Sequence, residues 1–178
     1  LQAFVAGSPA ARLPHDKPFA AVPVPAIPVP AGEEQSTQSA FGRILFDLAK
    51  TGGPLADSIV TTSPDVTVST GLGPWVNARG LFRRQELADV FRAARIPSPQ
   101  KWAGNRAGQH VELGIAEHNL FLMLAAAGLS APLFGTRLMP VGTVYDPFIA
   151  RGLDALNYGC YQDARFLLVA TPSGLTLA

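Results

Sequence analysis

The stretch HVELGIAEHNLFLMLAAAGL, residues 110–129, decides the fold because it joins a short β-type segment to a strongly apolar helix. The letters HVEL predict a strand, and the run from Ala116 to Gly128 predicts a buried helix that the glycine closes. Glu112, Glu117 and His118 lie at the junction between the two elements. A carboxylate at the point where a helix enters the core raises the question of what it does there.

Upstream of this stretch, the sequence predicts a helix followed by extended chain. Ser36 is a typical N-cap, and apolar residues at helical spacing follow it up to Lys50. Residues 59–60 predict a short buried strand, and residues 66–68 predict further extended chain before the loop that STGLGP indicates. Residues 83–95 fit either a surface helix or an ordered loop.

Downstream of this stretch, three further segments predict regular structure. APLFGTRLMPVG (131–142) predicts a strand, YDPFIARGLDALNYGC (145–160) a helix, and RFLLVAT (165–171) a strand of the continuously apolar kind. The alternation of strands and helices predicts an α/β fold, with a mainly parallel sheet and helices on both of its faces.

Composition limits the architecture and the partners. With 178 residues, of which 48% are hydrophobic, the chain is long enough for one domain with a substantial core. Only 15% of the residues are charged and the net charge is +1, which argues against nucleic acid as a partner. No apolar run is long enough to span a membrane, and the single Cys160 cannot form an internal disulfide. We therefore expect a cytoplasmic protein without a membrane partner.

Prolines mark off the N-terminal part of the chain. In FAAVPVPAIPVPAG (19–32) they favour extended polyproline geometry. We predict an extended Pro-rich connector at residues 1–35 and one packed domain at residues 36–178. The composition of residues 1–35 fits a disordered tail equally well. Because the chain opens on Leu1 without a methionine and stops at Ala178 within a strand-like run, we expect a fragment of a larger chain.

Three common kinds of site have no clear signature in this sequence. TGGPLADS and STGLGPWVN contain glycines but match neither a Walker loop nor a dinucleotide fingerprint, which disfavours a nucleotide-binding domain. TPSGL lacks the glycine pattern around a hydrolase nucleophile. His15, His110 and His118 are too scattered to predict a metal site within this chain.

Glu117 has two interpretations. As an acidic residue in a first helical turn it complements the helix dipole, whereas burial beside LFLML would let it hold or give a proton at neutral pH. Tyr145 and Phe148 are also open to two interpretations, as ordinary core residues or as aromatic rings that stack on a flat heterocycle. The residues themselves do not decide either question.

Three segments of the chain, STQSAFGRIL, GIAEHN and VYDPF, together resemble one known domain. The first is similar to the opening of the pyrimidine-binding domain in the homodimeric first component of bacterial pyruvate dehydrogenase complexes. The second resembles the Gly-x-x-Glu turn into a helix of that family, and the third its aromatic cofactor pocket. Residues 36–178 therefore resemble the pyrimidine-binding domain of thiamine-diphosphate enzymes of the transketolase and 2-oxoacid dehydrogenase group.

The resemblance implies a role for four residues. Glu117 would be catalytic, because the family's glutamate hydrogen-bonds a ring nitrogen of the cofactor's aminopyrimidine and favours the imino tautomer that removes the thiazolium proton. Phe148 would stack on the aminopyrimidine, Tyr145 would line the same pocket, and Leu72 would approach the cofactor. Transketolases have an aspartate before that leucine, whereas this chain has Gly71, so the resemblance leans toward a 2-oxoacid substrate.

The resemblance implies a thiamine-diphosphate-dependent dehydrogenase that decarboxylates a 2-oxoacid and transfers the acyl unit to a lipoyl carrier. Pyruvate is the expected substrate. The Gly-Asp-Gly motif that binds magnesium and diphosphate in this family is absent, so we expect magnesium on a domain outside this segment and no turnover by the segment alone. The intact protein is expected to be a homodimer, with a lipoyl acyltransferase component as a candidate partner. The alternatives are ketol transfer between sugar phosphates and a non-catalytic dimerisation module.

Overall fold

A computed structural model describes residues 21–172, apart from 28, 33, 86–92, 98–99 and 101, and in them a six-stranded sheet. Its strands are β1 (Ile59–Ser63), β2 (Leu81–Phe82), β3 (Gly104–Asn105), β4 (His110–Glu112), β5 (Met139–Tyr145) and β6 (Leu167–Thr171). They lie in the order β3-β2-β4-β1-β5-β6, and all neighbouring pairs are parallel. The predicted α/β fold with a parallel sheet is confirmed.

The described helices lie before β1, between β1 and β2, between β4 and β5, and between β5 and β6. They are α1 (Thr37–Thr51), α2 (Pro54–Ser58), α3 (Gly73–Arg79), α4 (Glu117–Gly128), α5 (Ser130–Phe134) and α6 (Leu153–Tyr161), and a 3₁₀ helix at Asp146–Gly152 leads into α6. Helix α1 begins where predicted, because the Ser36 side chain accepts a hydrogen bond from the Ser39 N–H and so caps the first turn.

Helices cover both faces of the sheet, as β5 shows. Val141 and Val144 are three residues apart, so their side chains point to opposite faces. Val141 belongs to a buried cluster with Leu45, Leu48, Leu55, Ile59, Leu72, Trp75 and Val76 from α1, α2, β1 and α3. Val144 belongs to a second cluster with Leu120 and Leu124 of α4. The sheet is therefore buried on both sides, which is why β5 carries apolar residues on both of its faces.

The strand register determines which residues meet at the carboxyl end of the sheet. Thr61 of β1 pairs with His110 of β4, and Ser63 pairs with Glu112. On the other side of β1, Thr62 pairs with Gly142, so that β5 continues past the end of β1 as far as Tyr145. Ligands of parallel α/β sheets bind at this edge.

Residues 66–68 are not the extended chain that the valines predict. The chain there turns, with the Thr70 N–H donating to the Val66 carbonyl (2.9 Å) and the Leu72 N–H donating to the Thr67 carbonyl (2.9 Å). The turn ends at Gly71, whose φ of 83° favours glycine. The loop of residues 64–72 therefore folds back over the end of β1 instead of running on as a strand.

Two further segments differ from prediction. Gly73 and Pro74, predicted as part of a loop, are the first residues of helix α3, because proline is tolerated in a first helical turn. The first four residues of the segment predicted as a strand at 131–142 lie in α5, and β5 begins at Met139. The segment predicted as one helix at 145–160 divides at Gly152, which packs so closely on Phe121 that a Cβ would lie 2.0 Å from the Phe121 ring.

The remaining predictions fall on short or partly described segments. Residues 83–85 are not helical, and residues 86–92 lie outside the described residues. The described part of the 1–35 connector has no helix or strand, and its Val22 packs against the first core cluster. Among the helices described, none is long and apolar enough to cross a membrane.

Candidate functional site

Glu117 is buried at the start of α4. It is the first residue of the helix, the preceding Ala116 offers no side-chain cap, and only 7% of Glu117 is exposed. Its Oε1 accepts a hydrogen bond from Arg151 Nη1 at 2.7 Å, in an ion pair whose arginine side chain is 53% exposed. A buried carboxylate of this kind persists because its charge is matched by a donor at the surface.

The same arginine also covers an aromatic ring. Arg151 Cζ lies over the Phe148 ring at 4.1 Å from the ring centroid. Phe148 packs against the second core cluster, which includes Leu120 and Leu124 on the helix that begins with Glu117. A planar guanidinium thus lies against the Phe148 ring while one of its N–H groups binds the Glu117 carboxylate.

Tyr145 completes this group from the end of β5. Its ring centroid is 6.1 Å from that of Phe148, with the two planes inclined at 57°. Its hydroxyl donates to Ser69 Oγ at 2.6 Å, and the neighbouring Thr70 and Thr143 hydroxyls are 2.8 Å apart. The loop of residues 64–72 is therefore fixed to the carboxyl end of β5.

Leu72 lies elsewhere. It is fully buried in the first core cluster, on the face of the sheet opposite to the cluster that holds Phe148. Its side chain supports the base of the loop of residues 64–72, and its predicted approach to a cofactor stays a prediction. Of the four residues expected in the site, Glu117 and Phe148 are joined through Arg151 and Tyr145 lies beside Phe148, whereas Leu72 packs in the other core cluster.

A second polar group, which the sequence did not predict, fills the space between β1, β4 and the loop. His110 is fully buried, with Nδ1 at 2.8 Å from Thr61 Oγ1 and Nε2 at 3.0 Å from Thr67 Oγ1. Thr67 Oγ1 donates to Glu112 Oε2 at 2.5 Å and lies 2.5 Å from Ser63 Oγ. These polar side chains therefore form one connected network.

The positions of the hydrogens follow from the donors available. Thr67 has one hydroxyl hydrogen, which it gives to Glu112, so it accepts from its other neighbours. His110 Nε2 therefore carries a hydrogen. The Thr61 hydroxyl is nearer to His110 Nδ1 (2.8 Å) than to the Gln109 carbonyl (3.4 Å), so its main contact is with the ring.

Glu112 is the charged member of this network. Burial acts to raise the pKa of its carboxyl group, but the nearby His110 ring together with hydrogen bonds from Thr67 and the Asp65 N–H outweighs burial and lowers the pKa to about 2. His110 Nε2 is 3.6 Å from Glu112 Oε2. The carboxylate thereby holds both the loop, through Thr67 and Asp65, and β4, on which it lies.

Acid should destabilise the protein through Glu112. Since its pKa falls from 4.5 to about 2 on folding, the stabilisation is complete above pH 4.5 and is lost as the pH drops toward 2. Glu112→Gln has no proton to gain, so its free energy of unfolding should be about 2 kcal/mol lower near neutral pH and should vary less with acid. Urea unfolding across this pH range measures both effects.

The control for this experiment is Glu34→Gln, which changes an exposed carboxylate in the same way. It should keep the pH dependence of the unmodified protein. An equal acid sensitivity in Glu112→Gln and the unmodified protein would contradict the assignment.

A sequence signal for the network existed. Thr61 and Ser63 are two residues apart in one strand, as are His110 and Glu112 in another, and alternate residues of a strand share a face. Polar residues at two such positions in each of two strands indicate a polar contact between the strands. The loop residue Thr67, which joins them, had no such signal.

No family model matches the chain, and the search of curated proteins gives no match to its sequence. The functional argument therefore depends on the geometry of the residues. Among the described residues, no group of three or more His, Cys, Asp and Glu is placed to hold a metal ion.

Proposed function

We propose that this chain supplies the aminopyrimidine-binding half of a thiamine-diphosphate enzyme, which decarboxylates a 2-oxoacid such as pyruvate and passes the acyl unit to a lipoyl carrier. The observation that carries the proposal is the arrangement of Glu117 and Phe148 around one flat, nitrogen-bearing group. That group is the guanidinium of Arg151, held by a 2.7 Å hydrogen bond on one side and a ring contact on the other.

The residues fit an aminopyrimidine because it can make the same two contacts. A protonated ring nitrogen can donate to the Glu117 carboxylate as Arg151 Nη1 does, and a flat ring can lie on Phe148 as the guanidinium does. Tyr145 would stand beside the same pocket, with its ring fixed by the hydrogen bond to Ser69. When bound, thiamine diphosphate supplies a nucleophilic carbon and an electron sink for decarboxylation.

The work of Glu117 would be to hold a proton at the ring nitrogen. Its backbone is fixed at the start of α4, and its carboxyl group is almost wholly shielded from water. A hydrogen bond in such surroundings is stronger than in water, so the position of the shared proton depends on the two partners and not on solvent. Phe148 would hold the plane of the ring in line with this bond.

Further contacts are expected outside the pocket. Diphosphate and magnesium would bind to a segment outside this chain, and the site would form between two copies in a homodimer. A lipoyl acyltransferase component is the proposed partner, and the cytoplasm the proposed location. These statements follow from the resemblance of the three motifs.

The first test is binding of thiamine. Phe148→Ala should weaken binding about two- to tenfold, because an aromatic stacking contact contributes roughly 0.5–1.5 kcal/mol. Titration calorimetry with thiamine measures the change, and oxythiamine, which has a 4′-oxo in place of the 4′-amino group, reports whether the amino group is recognised. The matched control is Phe134→Ala, because Phe134 is 65% exposed on α5. Equal affinity in Phe148→Ala and the unmodified protein would contradict the proposed stacking.

The second test separates the substrates. In the intact protein, pyruvate with an artificial electron acceptor is compared with a pentose-phosphate donor and acceptor pair. We expect turnover of pyruvate, and activity with the sugar phosphates alone would replace the proposal by ketol transfer.

One observation favours a different candidate, a non-catalytic dimerisation module. The Glu117 carboxylate already has a complete ion pair with Arg151, as a purely structural residue would. A chain of this kind would bind neither thiamine nor thiamine diphosphate, so calorimetry distinguishes it from the proposed enzyme.

A further inference from the structure

We infer that Arg151 is a built-in competitor of the aminopyrimidine, whose guanidinium must leave Glu117 and Phe148 before a ligand can bind there. The inference rests on the proposed function, and concerns the regulation of the same site. It predicts that the affinity for the ligand is set in part by how often Arg151 is displaced.

The competition follows from shared atoms. Arg151 Nη1 is 2.7 Å from Glu117 Oε1, which is the acceptor proposed for the ring nitrogen. Arg151 Cζ lies 4.1 Å from the centroid of the Phe148 ring, on the surface proposed for stacking. Two flat groups cannot lie at that distance on the same face of one ring, so ligand and guanidinium exclude each other there.

The arginine is placed so that it can leave. Its side chain is 53% exposed, whereas that of Glu117 is 8% exposed. Displacement therefore moves a long, flexible side chain into water and leaves the backbone of the 3₁₀ helix where it is. Because the Glu117 carboxylate is buried, it needs another donor when the guanidinium leaves, and the protonated ring nitrogen of the ligand would supply that donor.

The size of the effect follows from population arithmetic. The apparent dissociation constant equals the intrinsic constant divided by the fraction of molecules in which Arg151 is displaced. If the closed arrangement is favoured about tenfold, removing the guanidinium should tighten binding by about tenfold. Arg151→Lys, which keeps the charge but loses the planar group, should give a smaller gain of roughly two- to threefold.

The experiment is a calorimetric titration of the full chain with thiamine. It compares the unmodified protein with Arg151→Met, which keeps most of the length of the side chain but removes its charge and donors, and with Arg151→Lys. The control is Arg165→Met, because Arg165 is an exposed arginine whose ion pair is with Asp163. Thermal unfolding of each variant reports whether it is folded.

A second measurement uses the unmodified protein alone, so it does not depend on the folding of a variant. The Arg151 Nε–H resonance in a ¹⁵N correlation spectrum should carry a ring-current shift from Phe148. This shift should disappear during the titration with thiamine, because the guanidinium leaves the ring.

The outcomes separate the inference from the function. Tighter binding in Arg151→Met, with loss of the ring-current shift in the unmodified protein, supports the inference. Equal affinity in all folded variants with an unchanged Arg151 resonance overturns the inference and leaves the proposed function intact, as does loss of binding in folded Arg151→Met, which would make Arg151 a ligand contact. Absence of thiamine binding in every protein overturns the proposed function and the inference with it.

Discussion

Replacing Glu117 with glutamine should lower the thiamine-diphosphate-dependent turnover of the intact protein by about 10²- to 10⁴-fold, the range that general acid–base catalysis contributes. Glutamine has nearly the same volume and keeps an oxygen that can accept from Arg151 Nη1. It cannot take or give a proton at a ring nitrogen. The fold should therefore survive while the chemistry is lost.

Two measurements test this prediction. The first is turnover of pyruvate with an artificial electron acceptor, and the second is the rate at which the cofactor's thiazolium proton exchanges with deuterium, which reports the step before substrate binds. Circular dichroism and urea unfolding establish that the variant is folded.

The control addresses the simpler interpretation, in which Glu117 only complements a helix dipole. Asp154 is an exposed acid in the first turn of α6, so Asp154→Asn removes a charge from the first turn of another helix without touching the site. It should cost about 0.3–1 kcal/mol of stability and leave turnover unchanged. If Glu117→Gln behaved like Asp154→Asn, the dimerisation module would be the better account.

Gly108→Ala should reduce the free energy of unfolding by about 3 kcal/mol or more. A Cβ at this position would lie 2.0 Å from both the carbonyl carbon and the oxygen of Leu81, and 2.5 Å from the Phe82 nitrogen. These are backbone atoms of β2, so no side-chain rotation can relieve the contact. The strand has to move away from β4, with loss of the hydrogen bonds that hold it to the sheet.

Urea unfolding measures this cost, with Gly73→Ala as the matched control. A Cβ at Gly73 would meet no atom within 4 Å, and the residue lies in the first turn of α3. Alanine there should therefore change stability by about 0.5 kcal/mol or less. Similar urea midpoints for Gly108→Ala and Gly73→Ala would contradict the prediction, because β2 would then have moved without loss of stability.

Local patterns are sufficient to predict the framework of the fold. Ser36 and the spacing of apolar residues after it predict α1, and the alternation of strands and helices predicts a parallel sheet with two covered faces. The prediction for residues 66–68 is wrong because β-branched valines favour extended chain, while hydrogen bonds between residues 66 and 72 and the turn at Gly71 hold them in a loop. Strand propensity describes single residues, so it does not predict these hydrogen bonds.

The candidate site is predictable only in part, for a related reason. Glu117 and Phe148 are expected from the three motifs, but Arg151 is not, because its role depends on two contacts that cross between α4 and the 3₁₀ helix. The sequence assigns no role to His110, because the three histidines are too scattered to predict a metal site. Its hydrogen bonds to Thr61 and Thr67 depend on strand register, which no single segment contains.

The two core clusters lie on opposite faces of the sheet, and the candidate site lies on only one of them. Glu117, Phe148 and Arg151 all come from elements on the side of Val144, whereas Trp75 and its neighbours lie on the side of Val141. Under the proposed function, substitutions in the layer on the side of Val144 would therefore alter the site while the opposite layer continues to keep the molecule folded.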